Sequence, residues 1–304
     1  MVMRRGVAAI LISAAAFGLM PVFASFAYHA GMSVTTLLML RFAIASALFL
    51  GWLGARGRLG RLTGRQWATL ALLGGGMYAA QSLLYFTAVQ RISPALAVLL
   101  LYLYPALVSV LSAVVERTRM SWTVAGPILV SLAGLTLVVG RLDSGLDVPG
   151  LLAAAGAAVA YALYIIVGSR VSASLSPSVT TAYLSMFATG SFALLGLVSG
   201  GLDLGFAPAG WVWVTAVALV STVLAIALFF VGATALGPVR ASILSMLEPV
   251  VTVLATWLLL GGTLTWQQFA GGAVVLAGAL WGILASSARG TSPAAEETVA
   301  EASS

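Results

Sequence analysis

Two ionisable side chains lie inside long apolar stretches of this 304-residue chain, and any chemistry begins with them. Glu248 is the only carboxylate, and Arg41 the only cation, placed well away from the ends of such a stretch. Holding an ionised side chain at the centre of hydrocarbon costs ~2.5–3.5 kcal/mol on insertion scales, and more in simulations. Glu248 must therefore be neutral, paired or turned toward water. Ser242, Ser245, Thr252 and Thr256 recur around it at helical spacing and form one polar stripe. Such an acid can bind a proton or an amine; the plainer alternative is a structural acid capping backbone donors freed around Pro249. Arg41 can snorkel toward the nearer end of its stretch, pair with Glu248, or meet a ligand's carboxylate. Snorkelling or a structural pair is the plainer reading.

Tyrosines supply the next candidates. Tyr78, Gln81, Ser82 and Tyr85 follow i, i+3, i+4, i+7 spacing on one face, and Tyr102 and Tyr104, with Ser109 and Ser112, stand on the next segment. Tyr161 and Tyr164 add a third pair. A ring with a hydroxyl near mid-span suits an amphipathic ligand, offering an apolar body and a hydrogen-bonding tip. Aromatics near span ends form interfacial belts instead, and Tyr85 is the one of this set nearest an end. Pro105 and Pro249 lie mid-span, where proline removes a backbone donor and opens a kink; they are the candidate hinges. Pro94 and Pro238 stand near segment starts, where proline is tolerated. His29 sits at a segment end and reads as a solvated interface residue. Gly74, Gly75 and Gly76 read as close-packing positions between helices.

These residues must be positioned by membrane helices. The composition is 61% hydrophobic and only 7% charged, against roughly a quarter charged in soluble domains. Without cysteine there is no disulfide framework or thiolate site, and one histidine with eight carboxylates is a poor set of metal ligands. No cofactor is expected, and the arginines are spread over short loops rather than forming a nucleic-acid face. Ten segments are long enough to span: 7–28, 34–53, 67–89, 94–115, 122–140, 149–170, 178–199, 211–235, 240–260 and 266–286. Their continuity excludes the alternating pattern of a barrel, so the expected fold is an all-α integral membrane bundle of ten transmembrane helices. With the N-terminus inside, eleven arginines fall on the cytoplasmic side and only Arg91 and Arg141 outside. That bias predicts a multi-pass protein of the cytoplasmic (inner) membrane with both termini cytoplasmic.

Shifting the chain by 144 residues without a gap aligns Gly6 with Gly150, Trp67 with Trp211, Phe86 with Phe230, Pro94 with Pro238, Pro105 with Pro249, Trp122 with Trp266 and Gly134 with Gly278. Two tryptophan pairs and two proline pairs at one offset mark a duplication. Each half holds five spans, so the second enters the membrane from the opposite side, as in transporters built from inverted repeats. The same repeat argues that 1–28, despite Arg4-Arg5 before an apolar run, is a retained helix and not a cleaved signal. The expected organisation is a cytoplasmic N-terminus (1–6), a first five-helix repeat (7–140), an external linker (141–148), a second five-helix repeat (149–286) and a disordered cytoplasmic tail (287–304).

Two stretches carry a family resemblance: Leu247-Glu248-Pro249-Val250 with Leu258 to Thr265, Gly271 and Gly278, and the corresponding Tyr104-Pro105-Ala106 with Glu116-Arg117 and Gly134. Together with two five-helix repeats in about 300 residues, they make the chain resemble the drug/metabolite transporter superfamily, in its EamA-type branch. One departure is visible: such proteins carry a Gly-Glu-Arg turn where this chain has Gly261-Gly262-Thr263. The resemblance implies no enzyme but a secondary transporter, most often an exporter of small metabolites such as amino acids, with a cavity lined chiefly by the third, fourth, eighth and ninth spans. Expected partners are a small-molecule substrate, the lipid bilayer and protons, in a monomer or homodimer. Rival readings are an exporter of drugs or other small metabolites, and a non-transporting membrane assembly subunit. A membrane enzyme would need a clustered acid, base or metal site, and the intramembrane residues form none.

Overall fold

The computed structural model describes residues 2–59, 62–115, 122–139, 147–171, 175–261 and 265–290, in which helices are joined by short loops with no strand among them. Arg61, Glu116, Arg117, Arg119, Arg141 and the segment from 291 onward lie outside the described residues, as do the side chains of Ser109, Ser112, Arg170, Arg240 and Ser242.

Each of the ten apolar segments is helical, but not all are single rods. The first is α1 (Val2–Gly18) followed by α2 (Met20–His29), broken where Pro21 cannot donate to the turn before it. The second is α3 (Val34–Ala55), whose N-cap Ser33 accepts from the Thr36 N–H at 3.1 Å. The third joins α4 (Gly64–Leu70) and α5 (Ala79–Arg91) through a π-helical stretch at Ala71–Tyr78. The fourth is split into α6 (Pro94–Leu101) and α7 (Tyr104–Val115), and the fifth is α8 (Trp122–Val139). Then come α9 (Val148–Val171) and α10 (Pro177–Ser199). The eighth joins α11 (Ala209–Ala218) and α12 (Ala225–Leu236) through a second π-helical stretch, Leu219–Leu224. The ninth is α13 (Pro238–Ser245) and α14 (Leu247–Leu260), and the tenth is α15 (Trp266–Gly290). The helix thus runs past 286, through small residues that tolerate it, as far as Gly290, the last described residue.

Among the described residues, six stretches are long and apolar enough to cross a bilayer: 3–29, 34–55, 148–168, 177–199, 209–236 and 243–260. Shorter apolar helices lie at 94–108, 125–134 and 269–282.

The duplication is visible in the packing. α3 packs on α10 and α8 on α15, each helix meeting its own counterpart, while α1 on α12 repeats the contact of α9 on α5. α8 and α15 run antiparallel: Gly126 faces Trp281, whereas Gly134 faces Val275 and the Gly271 carbonyl. Counterparts that pair antiparallel place the two halves in opposite directions about a shared pseudo-twofold axis. The interruptions obey the same offset. The π-helical stretches overlap when shifted by 144, and the break at Tyr102–Leu103 matches the break at Met246.

The glycine triplet lets the first π-helical stretch lie against α10. A Cβ on Gly74 would stand 2.6 Å from the Leu184 carbonyl oxygen and 2.7 Å from its Cα, whereas one on Gly76 would meet nothing nearer than 3.7 Å. Gly74→Ala is therefore expected to destabilise by ~1–3 kcal/mol, an overpacking cost against backbone. Gly76→Ala should be neutral or stabilising, since alanine is favoured over glycine in a helix by ~1 kcal/mol. Thermal unfolding in detergent checks the contrast, and equal effects at the two positions would refute it.

Candidate functional site

A cavity of about 470 Å3 opens between the halves, within the size range of small-molecule sites. Tyr78, Gln81, Tyr85, Tyr102, Tyr104, Tyr161, Tyr164, Glu248, Arg41 and Pro105 all line it. Pro249 is buried behind the wall. The tyrosines form a continuous arc. Ring centroids are separated by 5.9 Å between Tyr102 and Tyr104, 4.7 Å between Tyr104 and Tyr161, 6.2 Å between Tyr161 and Tyr164 and 5.4 Å between Tyr164 and Tyr78. Adjacent rings hold one another at edge-to-face, tilted and offset-stacked angles, so the arc is a preformed amphipathic wall.

Glu248 belongs to the helix break. Pro249 has no N–H, so the Ser245 carbonyl loses its helical donor. The Tyr102 hydroxyl takes up that position, 3.3 Å from the Ser245 carbonyl and 3.3 Å from Glu248 Oε2. Tyr102 itself caps α6 at the equivalent break of the first half. The two breaks therefore interlock, and a residue of one half orients the acid of the other. On its far side the junction presses on the break between α1 and α2. Thr252 donates to the Gly18 carbonyl at 2.8 Å, and a Cβ on Gly18 would stand 2.6 Å from the Glu248 carbonyl oxygen.

Arg41 does not snorkel. Only 2% of it is exposed, and its guanidinium lies 4.7 Å from the Phe42 ring centroid and 5.2 Å from that of Phe86. Its Nε donates to Thr222 Oγ1 at 2.9 Å, and Thr222 donates in turn to the Val217 carbonyl, five residues back, at 2.9 Å. A carbonyl five residues back is the reach of a π-turn, so the second π-helical stretch sets the threonine that braces the arginine. No ion pair joins Arg41 to Glu248; the one described ion pair is Arg91 to Asp147 at 3.2 Å, near the helix ends. His29 is exposed at the end of α2. Among the described residues no cluster of three or more histidine, aspartate or glutamate side chains could hold a metal.

Several wall residues carry no signal of their own in the sequence, among them Phe17, Met20, Ser185, Thr222, Phe229 and Phe230. Each is the repeat counterpart of a lining residue, respectively Tyr161, Tyr164, Arg41, Tyr78, Tyr85 and Phe86. Tyr104 and Glu248 are counterparts as well. The cavity thus sits on the pseudo-twofold axis, and the offset of 144 applied to the sequence candidates finds five of these six, Phe230 being the counterpart of Phe86. The symmetry is broken at the two ends: Tyr85 and Phe86 are buried, whereas Phe229 and Phe230 are half-buried.

Two consecutive matches to the model of the EamA-like transporter family cover residues 4–140 and 148–284, one for each half. The chain belongs to the EamA-like transporter family. It is similar to an uncharacterized transporter of Archaeoglobus fulgidus, 32% identical over 284 residues that cover 91% of this chain and 96% of the relative. A solved crystal structure matches the fold at a TM-score of 0.63 with 24% identity, over 93% of this chain and 97% of the other. Family membership and the apolar helices make the chain a multi-pass membrane transporter of two-repeat architecture.

Proposed function

We propose that this EamA-like protein is a secondary transporter of ten spans that exports small amphipathic metabolites, amino acids first, across the cytoplasmic membrane by alternating access. The observation that carries this reading is the paired cavity. Both halves contribute equivalent positions to one wall, and among the described residues that wall holds a single acid, a single cation and an arc of tyrosines. Two inverted halves around one mid-membrane site can expose it to either side by exchanging conformations. The unequal burial of Tyr85–Phe86 and Phe229–Phe230 supports one closed end and one open end. Export would require the two ends to swap. In this reading Tyr78, Gln81, Tyr102 and Tyr104 contact the substrate, Glu248 binds an amine or a proton, and Pro105 and Pro249 permit the rocking. Both termini are cytoplasmic.

Counterflow in proteoliposomes tests the reading, with vesicles loaded with one unlabelled amino acid at a time and entry of its labelled form followed. A subset of amino acids is expected to exchange. Tyr78→Ala, which removes one end of the tyrosine arc, should lower that exchange by about tenfold, a loss of ~1.4 kcal/mol. Silence across the whole panel from folded protein would remove amino acids as substrates.

A further inference from the structure

Arg41 carries more chemistry than a structural brace needs. A guanidinium has five N–H donors in a planar fork. In this chain Nε is committed to Thr222 Oγ1, and the Thr222 hydroxyl hydrogen is committed to the Val217 carbonyl, so the bond has one direction only. Phe42 and Phe86 flank the guanidinium and exclude water. Nε, the rings and a buried stem thus fix the plane; Tyr78 hydrogen-bonds the guanidinium as well, and Arg41 and Tyr78 both line the cavity, leaving further N–H donors of the fork for a ligand. Among the described residues no carboxylate forms an ion pair with this cation. The one acid of the cavity, Glu248, is instead engaged by Tyr102. A buried cation with no anion is costly, and a braced fork presents the geometry that a carboxylate meets with two parallel hydrogen bonds.

We infer that Arg41 is the carboxylate-binding group of the cavity, held ready by Thr222 of the second π-helical stretch, so that a transported ligand docks its carboxylate there and its cationic end toward Glu248. Tyr85 lines the same cavity as both charges. The inference rests on the reading of the cavity as the transport site and adds the class and the orientation of its ligand: a molecule with a free carboxylate, a zwitterion when both poles are used. It also assigns a role to the π-helical stretch, since an α-helical register would carry Thr222 away from the Val217 carbonyl.

The test is a chemical series on the purified protein, read by thermal shift in detergent and by counterflow. The probes are the amino acids, their carboxamides, the amines left after decarboxylation and the carboxylic acids left after deamination; for leucine these are leucinamide, isopentylamine and 4-methylpentanoate. Wild-type protein is expected to respond to the carboxylate-bearing members and at least about tenfold less to the amide and amine. Arg41→Gln should erase that preference. Arg41→Lys, which keeps a charge and loses the fork, should raise KM for carboxylates with kcat largely kept, and Thr222→Val should do the same while leaving Arg41 in place. Exchange of simple carboxylates but of no amino acid would uphold this site and overturn the amino-acid reading. The inference is overturned if amides and amines are handled as well as their parents by the wild type, or if no carboxylate binds. It also falls if Arg41→Gln and Thr222→Val both keep the carboxylate preference.

Discussion

Glu248→Gln is expected to leave a folded protein whose exchange no longer varies with pH and whose proton-driven accumulation falls by about tenfold or more, at least ~1.4 kcal/mol of lost coupling. The physical reason lies in what glutamine keeps and what it loses. Its carboxamide oxygen accepts the Tyr102 hydroxyl as Glu248 Oε2 does at 3.3 Å, and its volume is nearly the same, so the packing of the break survives. It cannot take up or release a proton, and it cannot carry the negative charge that would hold an ammonium group. A wild-type transporter that couples through this acid shows exchange that follows its protonation, and the variant shows a flat profile. Counterflow and imposed-gradient uptake over a pH series separate the outcomes. A variant with the wild-type pH profile and wild-type accumulation would end the proton-coupling role and leave Glu248 as a structural acid at the α13–α14 junction.

The reach of sequence reasoning differs sharply among these residues, for physical reasons. Glu248 and Arg41 stood out because a charge in an apolar run is costly wherever it points. Their surroundings did not. Ser242, Ser245, Thr252 and Thr256 follow helical spacing, but the chain breaks at Met246, so the stripe is not one continuous helical face and Thr252 turns to the Gly18 carbonyl. For Arg41 the sequence leaves snorkelling, a structural pair and a ligand's carboxylate open, because depth along a span says nothing about rotation. The structure turns it inward onto Thr222, a residue with no conspicuous signal of its own. The π-helical stretches were illegible for a related reason. Gly74, Gly75 and Gly76 have the look of packing glycines, and Gly74 is one, but Leu219–Leu224 carries no glycine and forms the same irregularity. Composition does not encode it; the duplication does. The breaks are partly legible, since Pro105 and Pro249 stand mid-span at equivalent repeat positions, whereas Pro21 has no proline counterpart at 165 to draw attention to the break at Leu19. Periodicity located helices and the repeat located symmetry. Only three-dimensional packing could say which face of each helix meets the axis.

That packing leads to the second large effect. Pro249→Ala restores an N–H three residues after Met246, directly opposite the Ser245 carbonyl that Tyr102 now satisfies. The new backbone bond contributes ~1 kcal/mol, removes the reason for the break, and competes with Tyr102 for its acceptor. The α13–α14 junction should then close toward a continuous helix. We expect thermal stability in detergent to hold or rise, substrate affinity to stay within a factor of a few, and the exchange rate to fall by about fivefold, because a bond that forms in only one arrangement of the break adds ~1 kcal/mol to leaving it. Pro105→Ala, at the equivalent position in the first half, should act in the same direction on the Leu101 carbonyl. The double variant should be slower than either one if both breaks move in each cycle. Tyr102→Phe supplies the comparison: it removes the hydroxyl from both the Ser245 carbonyl and Glu248 without adding a backbone bond, so it should alter the pH response and, as a substrate contact, raise KM, without the slowing of the maximal rate expected of the proline variants. Stable proline variants that exchange at the wild-type rate would show that the breaks are static features that place Glu248 and Tyr102 against each other. The rocking motion would then have to arise at the π-helical stretches, where Thr222 and Arg41 join the two halves.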